Sequence, residues 1–365
     1  MKLFKSLLVA PAALGLLAPM SATANEVTIN DFNPAEELAV TNSRVDGLEA
    51  RLNNFEAGSF SSTTAATFSA DFAIGAVDGN TTSEKVNTAY GYQIDLSTSF
   101  TGEDSFDVAI DAGQGASSLS ELDLNSGGDA LTVDGISYTF PVGEKLTVLV
   151  GDSADGSALY STACVYGGFT NTLDDCGNFN SAFIAGDSQP NSVALSAAME
   201  IGNGFTGAVG YQGQGAGDGL MTNDGTDYYG AQVTYTADSY GASVTYADLD
   251  TATSWALNGY YSFASNLPSI SVGYEFTENE GATKDDTQWF AGLQWDEIGP
   301  GSLGIAAGNK GPQRDGSTEE MAYEAFYAYS VNDSMTITPA VFILENNGSG
   351  ETDETGFVVK TSFGF

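Results

Sequence analysis

The chain ends in GFVVKTSFGF, residues 356–365, and this ending restricts the possible fold more than any other stretch. Phe357, Val359, Thr361, Phe363 and Phe365 share one face of an extended strand, while Gly356, Val358, Lys360, Ser362 and Gly364 share the other. A soluble sandwich can also end on a strand, but it rarely places Phe at the very last position. A final strand with one apolar face and a terminal aromatic is how bacterial outer-membrane barrels finish. Phe363 and Phe365 are therefore the expected signal for the barrel-assembly machinery of that membrane.

From Phe60 onward the sequence repeats with period two. Phe68, Ala70, Phe72 and Ile74 alternate with Thr67, Ser69, Asp71 and Ala73, and Tyr90, Tyr92, Ile94, Leu96, Thr98 and Phe100 alternate with Gly91, Gln93, Asp95, Ser97 and Ser99. The pattern returns over 229–235, 255–263, 270–276, 289–295, 323–329 and 337–343. One such segment says little. A long succession, each bounded by Gly, Asn or Asp, predicts an all-β chain: a transmembrane antiparallel β-barrel of about 16 strands. Aromatic residues gather at segment ends, where the girdles of a membrane interface need them. A barrel of that size encloses a water-filled lumen. Asp134-Gly135 and Asn203-Gly204 read as hairpin turns, and the polar inserts near 212–227, 277–286 and 309–320 read as longer outer loops.

The N-terminus carries an address. Lys2 and Lys5 precede an apolar run from Leu7 to Leu17, and Ala22-Thr23-Ala24 is a small-residue cleavage site, which together read as a signal peptide over 1–24. A membrane-spanning helix needs roughly 20 apolar residues, and this run is shorter and broken by Pro11 and Gly15. The chain holds 10 basic and 48 acidic residues, and loss of Lys2 and Lys5 takes the net charge from −38 to −40. Nucleic-acid binding would need the opposite sign. No His is present, which removes the commonest catalytic base and metal ligand.

Between signal and barrel, residues 25–58 form a periplasmic segment with one expected helix over 33–57. Asn33 caps it, Pro34 suits its first position, Glu36 lies three residues after the cap, and Gly58 stops it. Leu38, Thr41, Val45, Leu48, Leu52 and Phe55 repeat at alternating spacings of three and four, a coiled-coil seam. A lone helix of that length is marginal in water. It either pairs with its copies in a homotrimer or lies against its own barrel. The barrel is expected over 59–365.

The longest interruption of the period-two pattern runs from about Gly151 to Asn191 and contains both cysteines, in CVYGGFTNTLDDC. In an oxidising compartment Cys164 and Cys176 are expected to pair. The Cys-x-x-Cys spacing of a redox pair is absent, and a zinc site lacks ligands. A stapled loop in mid-barrel reads either as a constriction folded into the pore or as an ordinary outer loop protected from proteases. Asp152, Asp155, Asp174, Asp175 and Asp187 fall in this segment, with no Lys or Arg between Lys145 and Lys284. If they line the lumen, the narrowest point is negative and favours cations; if they face outward, they are a solvated acidic surface. The acidic turns at Asp224, Gly225 and Asp227 and at Asp248 and Asp250 lack the full ligand pattern of a calcium loop.

The signal MKLFKSLLVAPAALGLLAP, the segment SRVDGLEARLNNFEA (43–57), the start of the barrel and PSISVGYEF (268–276) resemble the outer-membrane porins of cyanobacteria. These are grouped with the carbohydrate-selective, OprB-type porins and often labelled iron uptake porins. The resemblance implies a 16-stranded trimeric barrel that passes small hydrophilic solutes, sugars or inorganic ions, iron among them, by diffusion. Members typically carry an S-layer homology domain between signal and coiled coil; here about nine residues separate Asn25 from Pro34. That departure puts wall tethering in doubt and leaves the channel untouched.

The expectation is therefore a passive porin in outer-membrane lipid, cation-preferring, needing neither cofactor nor metal, and not an enzyme. The alternative is a closed or plugged barrel that serves as a surface coat or receptor.

Overall fold

The structure, a computed structural model, describes residues 64–365 apart from 82, 116, 123, 125–127, 162, 175, 177–191, 215–218, 223–224, 265–266 and 349–351. The expected signal peptide, the domain boundaries near 24 and 58, and the helix with Leu38, Val45, Leu48, Leu52 and Phe55 lie outside the described residues.

The strands are β1 (Thr64–Asp78), β2 (Asn87–Thr98), β3 (Ser105–Gln114), β4 (Gly128–Val142), β5 (Leu146–Asp152), β6 (Ser192–Gly202), β7 (Phe205–Gln214), β8 (Asp227–Thr236), β9 (Tyr240–Asp248), β10 (Ala252–Tyr261), β11 (Ser269–Asn279), β12 (Asp286–Ile298), β13 (Gly301–Asn309), β14 (Gln313–Arg314), β15 (Met321–Asn332), β16 (Met335–Leu344) and β17 (Glu354–Gly364). Successive strands pair antiparallel, except that β14 pairs with β12 and prolongs the stave begun by β13, which pairs with β12 and β15, so the sheet closes as a barrel of sixteen staves.

Closure joins β17 to β1 from Ser69 opposite Gly364 to Asp78 opposite Thr355. Phe365 completes it: its N–H donates to the Phe68 carbonyl at 3.0 Å and its carbonyl accepts from the Phe68 N–H at 2.8 Å. The Phe365 and Phe68 rings stack at 6.0 Å, and Phe363 meets Phe72 edge-on at 6.1 Å. A closed sheet leaves no unpaired strand edge, the condition for placing strands in hydrocarbon.

The expected alternation sets the two faces. Phe72, Ile74, Trp255, Leu257, Val272, Tyr274 and Phe357 are exposed on the outer surface, and their neighbours Ala73, Ala256, Ser271, Glu275 and Val358 are buried on the inner one. Near the short-turn end the outer aromatics touch in runs: Phe106, Phe100, Tyr138 and Phe140 form one, and Phe205, Tyr235, Tyr240, Tyr261 and Phe263 another. Such a belt suits the membrane–water interface.

Connections alternate in length. Turns 143–145, 203–204, 299–300 and 333–334 lie at the end that holds the C-terminus, while the strand ends joined by the longer connections 115–127, 153–191, 215–226 and 345–353 lie at the other. Asn203 (φ 54°) and Gly204 (φ 84°) are both left-handed, as a two-residue type I′ hairpin requires. Asp134-Gly135 is not a turn. Ala109 pairs with Gly135 and Ile110 with Val133, so Asp134 is the extra residue of a bulge inside β4. A Cβ on Gly135 would stand 2.8 Å from the Ser153 carbonyl oxygen, so this glycine serves a close backbone approach.

Candidate functional site

The inner wall divides into three sectors by residue type. On β1 to β3 the inward positions carry Asp71, Asp95, Asp107 and Asp111, all half-buried. Three of these carboxylates are oriented by neighbours: Gln93 Nε2 donates to Asp95 at 2.7 Å, Ser105 Oγ to Asp107 at 2.8 Å and Thr132 Oγ1 to Asp111 at 2.8 Å. On β6 to β11 the buried inward side chains are mostly uncharged hydroxyls and amides, including Ser196, Gln212, Gln232, Thr234, Ser243, Thr245, Ser254, Asn258 and Ser271, with the carboxylate of Glu275 among them. From β12 round to β1 they are mostly apolar, Phe290, Ala306, Ala322, Phe326, Ala340, Phe342, Val358 and Ala73, with Gln288, Glu324 and Thr338 as buried polar exceptions. Lys360 on β17 is the only basic residue on the inward face of a long strand among the described residues.

The described part of the connection after β5, from Ser153 to Asp174 apart from 162, lies along this wall. Its Gly156 N–H donates to Gln212 Oε1 on β7 at 3.1 Å, and its Ser161 N–H to Gln232 Oε1 on β8 at 2.7 Å. The Val165 N–H then donates to Ser271 Oγ on β11 at 3.1 Å. Tyr166 packs against Phe290 of β12 and Phe326 of β15, and Phe169 stacks on Phe326. Lys360 Nζ sits 5.4 Å from the centre of the Phe169 ring. Every wall residue in this list is inward-facing, so the segment traverses the inside of the barrel from β7 to β17. A Cβ on Gly292 would fall 2.8 Å from the Tyr166 ring, so the absence of a side chain there lets the aromatic lie flush on β12.

Cys164 and Cys176 are bonded, with Cα atoms 6.1 Å apart, and enclose a cystine loop whose Tyr166, Phe169 and Leu173 are buried with the apolar wall. The polar anchor is Glu324 on β15, 3% exposed. Its carboxylate accepts from Tyr166 Oη (2.7 Å), the Phe169 N–H (3.0 Å), the Thr170 N–H (2.8 Å) and Thr170 Oγ1 (2.6 Å). Burial, reinforced by the Glu324 carboxylate, holds the Tyr166 phenol well above its ordinary pKa, so it remains a donor.

The residues singled out in the sequence are distributed unevenly. Asp152 pairs with Ile136 on the exposed outer register of β5 and faces away from the lumen. Asp155 lies at the root of the connection, and burial, with Asp134 nearby, raises its pKa. Asp174 is inside the cystine loop, its N–H donating to the Thr170 carbonyl at 2.9 Å. Asp175 and Asp187 lie outside the described residues. The four strand carboxylates had no individual sequence signal beyond their inward position in a period-two segment, whereas Glu324 stands alone between Ala322 and Phe326 on an apolar register.

A closed barrel of sixteen antiparallel staves, with the described part of one long connection folded along its inner wall, is a porin-type barrel. Solved structures agree: OprB of Pseudomonas putida aligns over 83% of this chain and 94% of its own, with 11% identity and a TM-score of 0.63. A porin variant from Rh. blastica aligns over 83% of this chain and all of its own, with 14% identity and a TM-score of 0.52. In sequence, the chain is 26% identical to an uncharacterized protein of Nostoc sp. over 430 aligned positions, 94% of this chain and 74% of that protein. No protein-family model matches the chain.

Proposed function

We propose that this protein is an outer-membrane porin through which small hydrophilic solutes and inorganic ions diffuse passively, with cations preferred. The observation that carries the cation preference is the inner wall itself: four inward carboxylates on β1 to β3, against Lys360 as the one basic side chain on the inward face of a long strand among the described residues. Fixed carboxylates beside a narrowed aqueous path raise the local concentration of cations. Asp155 and Asp174 add to this charge if the path runs beside the cystine loop; Asp152 does not. Iron and sugars enter this reading only through the resemblance to cyanobacterial porins. Export by the signal peptide, insertion by the assembly machinery and trimerisation through the 33–57 helix complete the proposal. A plugged barrel remains the second reading, favoured by the apolar packing of Leu122, Leu124, Phe169 and Leu173 inside the barrel.

Reversal potential across a planar bilayer under a salt gradient tests the preference. The wild type should reverse on the cation-selective side. Joint replacement of Asp71, Asp95, Asp107 and Asp111 by Asn should bring the reversal potential towards zero. An unchanged reversal potential in that variant would remove these residues from the path.

A further inference from the structure

The connection between β3 and β4 also folds inward. Its 3-10 turn, Ser117–Leu122, places Leu119 and Leu122, with Leu124 beyond, in the buried cluster that holds Phe169 and Leu173 of the cystine loop. The turn is fixed to β2, where Asn87 Nδ2 donates to Ser118 Oγ at 2.7 Å. Its exit is also close to that strand: a Cβ on Gly91 would lie 3.3 Å from the Leu124 backbone. Glu121 connects the two inward elements. Its main-chain carbonyl accepts from the Asn171 N–H at 2.8 Å, and its Oε2 accepts from Thr172 Oγ1 at 2.7 Å and from the Thr172 N–H at 3.3 Å.

We propose that Glu121 is a positioning residue that clamps the cystine loop to the 3-10 turn, so that two connections narrow the lumen as one unit. Glu324 holds the loop from β15 and Glu121 holds it from the β2 side. Each carboxylate takes both the N–H and the hydroxyl of one threonine, Thr170 for Glu324 and Thr172 for Glu121. With both clamps closed the loop cannot lift without dragging the leucines of the turn out of their shared packing. The width of the path then depends on both elements together. This deepens the porin reading and rests on it for its functional meaning, while the clamp itself is a matter of structure.

Amide hydrogen exchange on the full-length detergent-solubilised protein tests the clamp without requiring conduction. Glu121→Ala should speed exchange at Thr172 by about tenfold to a hundredfold, the loss expected for hydrogen bonds to a charged acceptor. Thr172→Val should in turn speed exchange within residues 118–122, and the double variant should add little to either single one. Glu121→Gln, which keeps one acceptor oxygen, should fall between wild type and Glu121→Ala. In bilayers the Glu121 variants should show larger or noisier current steps. Exchange that changes only on the mutated side, or effects that add fully in the double variant, would overturn the clamp. A wild type that does not conduct but shows coupled exchange would refute the porin reading alone; a conducting wild type with uncoupled exchange would refute the clamp alone.

Discussion

Replacing Glu324 by Gln keeps the shape of the side chain while removing the charge that organises the cystine loop. In the wild type two carboxylate oxygens receive four donors, two from main-chain N–H groups and two from hydroxyls. An amide offers only one accepting oxygen, so its NH2 group must face either the Tyr166–Phe169 pair of donors or the Thr170 pair. The hydroxyls can turn to accept, but the N–H of Phe169 or Thr170 cannot. Hydrogen bonds to a charged acceptor contribute about 1.5–3 kcal/mol each, net of water. The freed N–H can reach lumenal water once the loop lifts, so the cost falls on the seated state of the loop and not on the barrel. A loss of about 2 kcal/mol shifts the seated-to-lifted ratio by roughly thirtyfold. Single-channel recording reads this as larger mean conductance and open-channel noise, and limited proteolysis reads it as faster cleavage within 164–176. Thermal unfolding of the barrel should change little, because strand pairing is untouched. Wild-type conductance, noise and cleavage in the Gln variant would refute the assignment of Glu324 as the anchor.

Reduction of Cys164–Cys176, or its replacement by Ser at both positions, should cost the cystine loop about 3 kcal/mol of chain-entropy stabilisation. The check is faster proteolysis within the loop, with the barrel melting temperature nearly unchanged. At the short-turn end, hydrogen bonds from Tyr138 first, then Ser99, and from Thr101 hold the Asp104 carboxyl well below the usual carboxylate range. A depressed folded value means that this stabilisation is present above the ordinary carboxylate pKa of about 3.9 and fades as pH falls below it. Carboxyl NMR should show Asp104 still ionised where exposed aspartates have protonated, and titration in the ordinary range would contradict the turn geometry.

The barrel was legible because its determinants are local and repeated. Phe72 and Ile74 opposite Ala73, or Trp255 and Leu257 opposite Ala256, announce two faces within a few residues, and Phe365 announces the closing strand. Asn203-Gly204 was legible as a turn because both residues must be left-handed. Asp134-Gly135 was not, since the same dipeptide serves a bulge when a second chain, here Ser153, comes close. The interior was harder to read. Glu324 and Glu121 are two acids among many, and their role appears only when the fold brings Thr170 and Thr172 to them from 154 and 51 residues away. Two signals were nonetheless present. Glu324 stands between Ala322 and Phe326 on an otherwise apolar inward register, and Leu119, Leu122 and Leu124 crowd a connection that an outer loop would keep polar. An isolated acid on an apolar face and a leucine-rich loop both ask for a partner inside the barrel.

The most direct measurement is single-channel conductance of the refolded protein in a planar bilayer. An open porin should show large, persistent steps, recurring in threes if the 33–57 helix assembles a trimer, and steps that grow when Glu324 or Glu121 is replaced. A correctly folded barrel that stays electrically silent, in the wild type and after release of the cystine loop alike, would contradict it and leave the plugged structural barrel in its place.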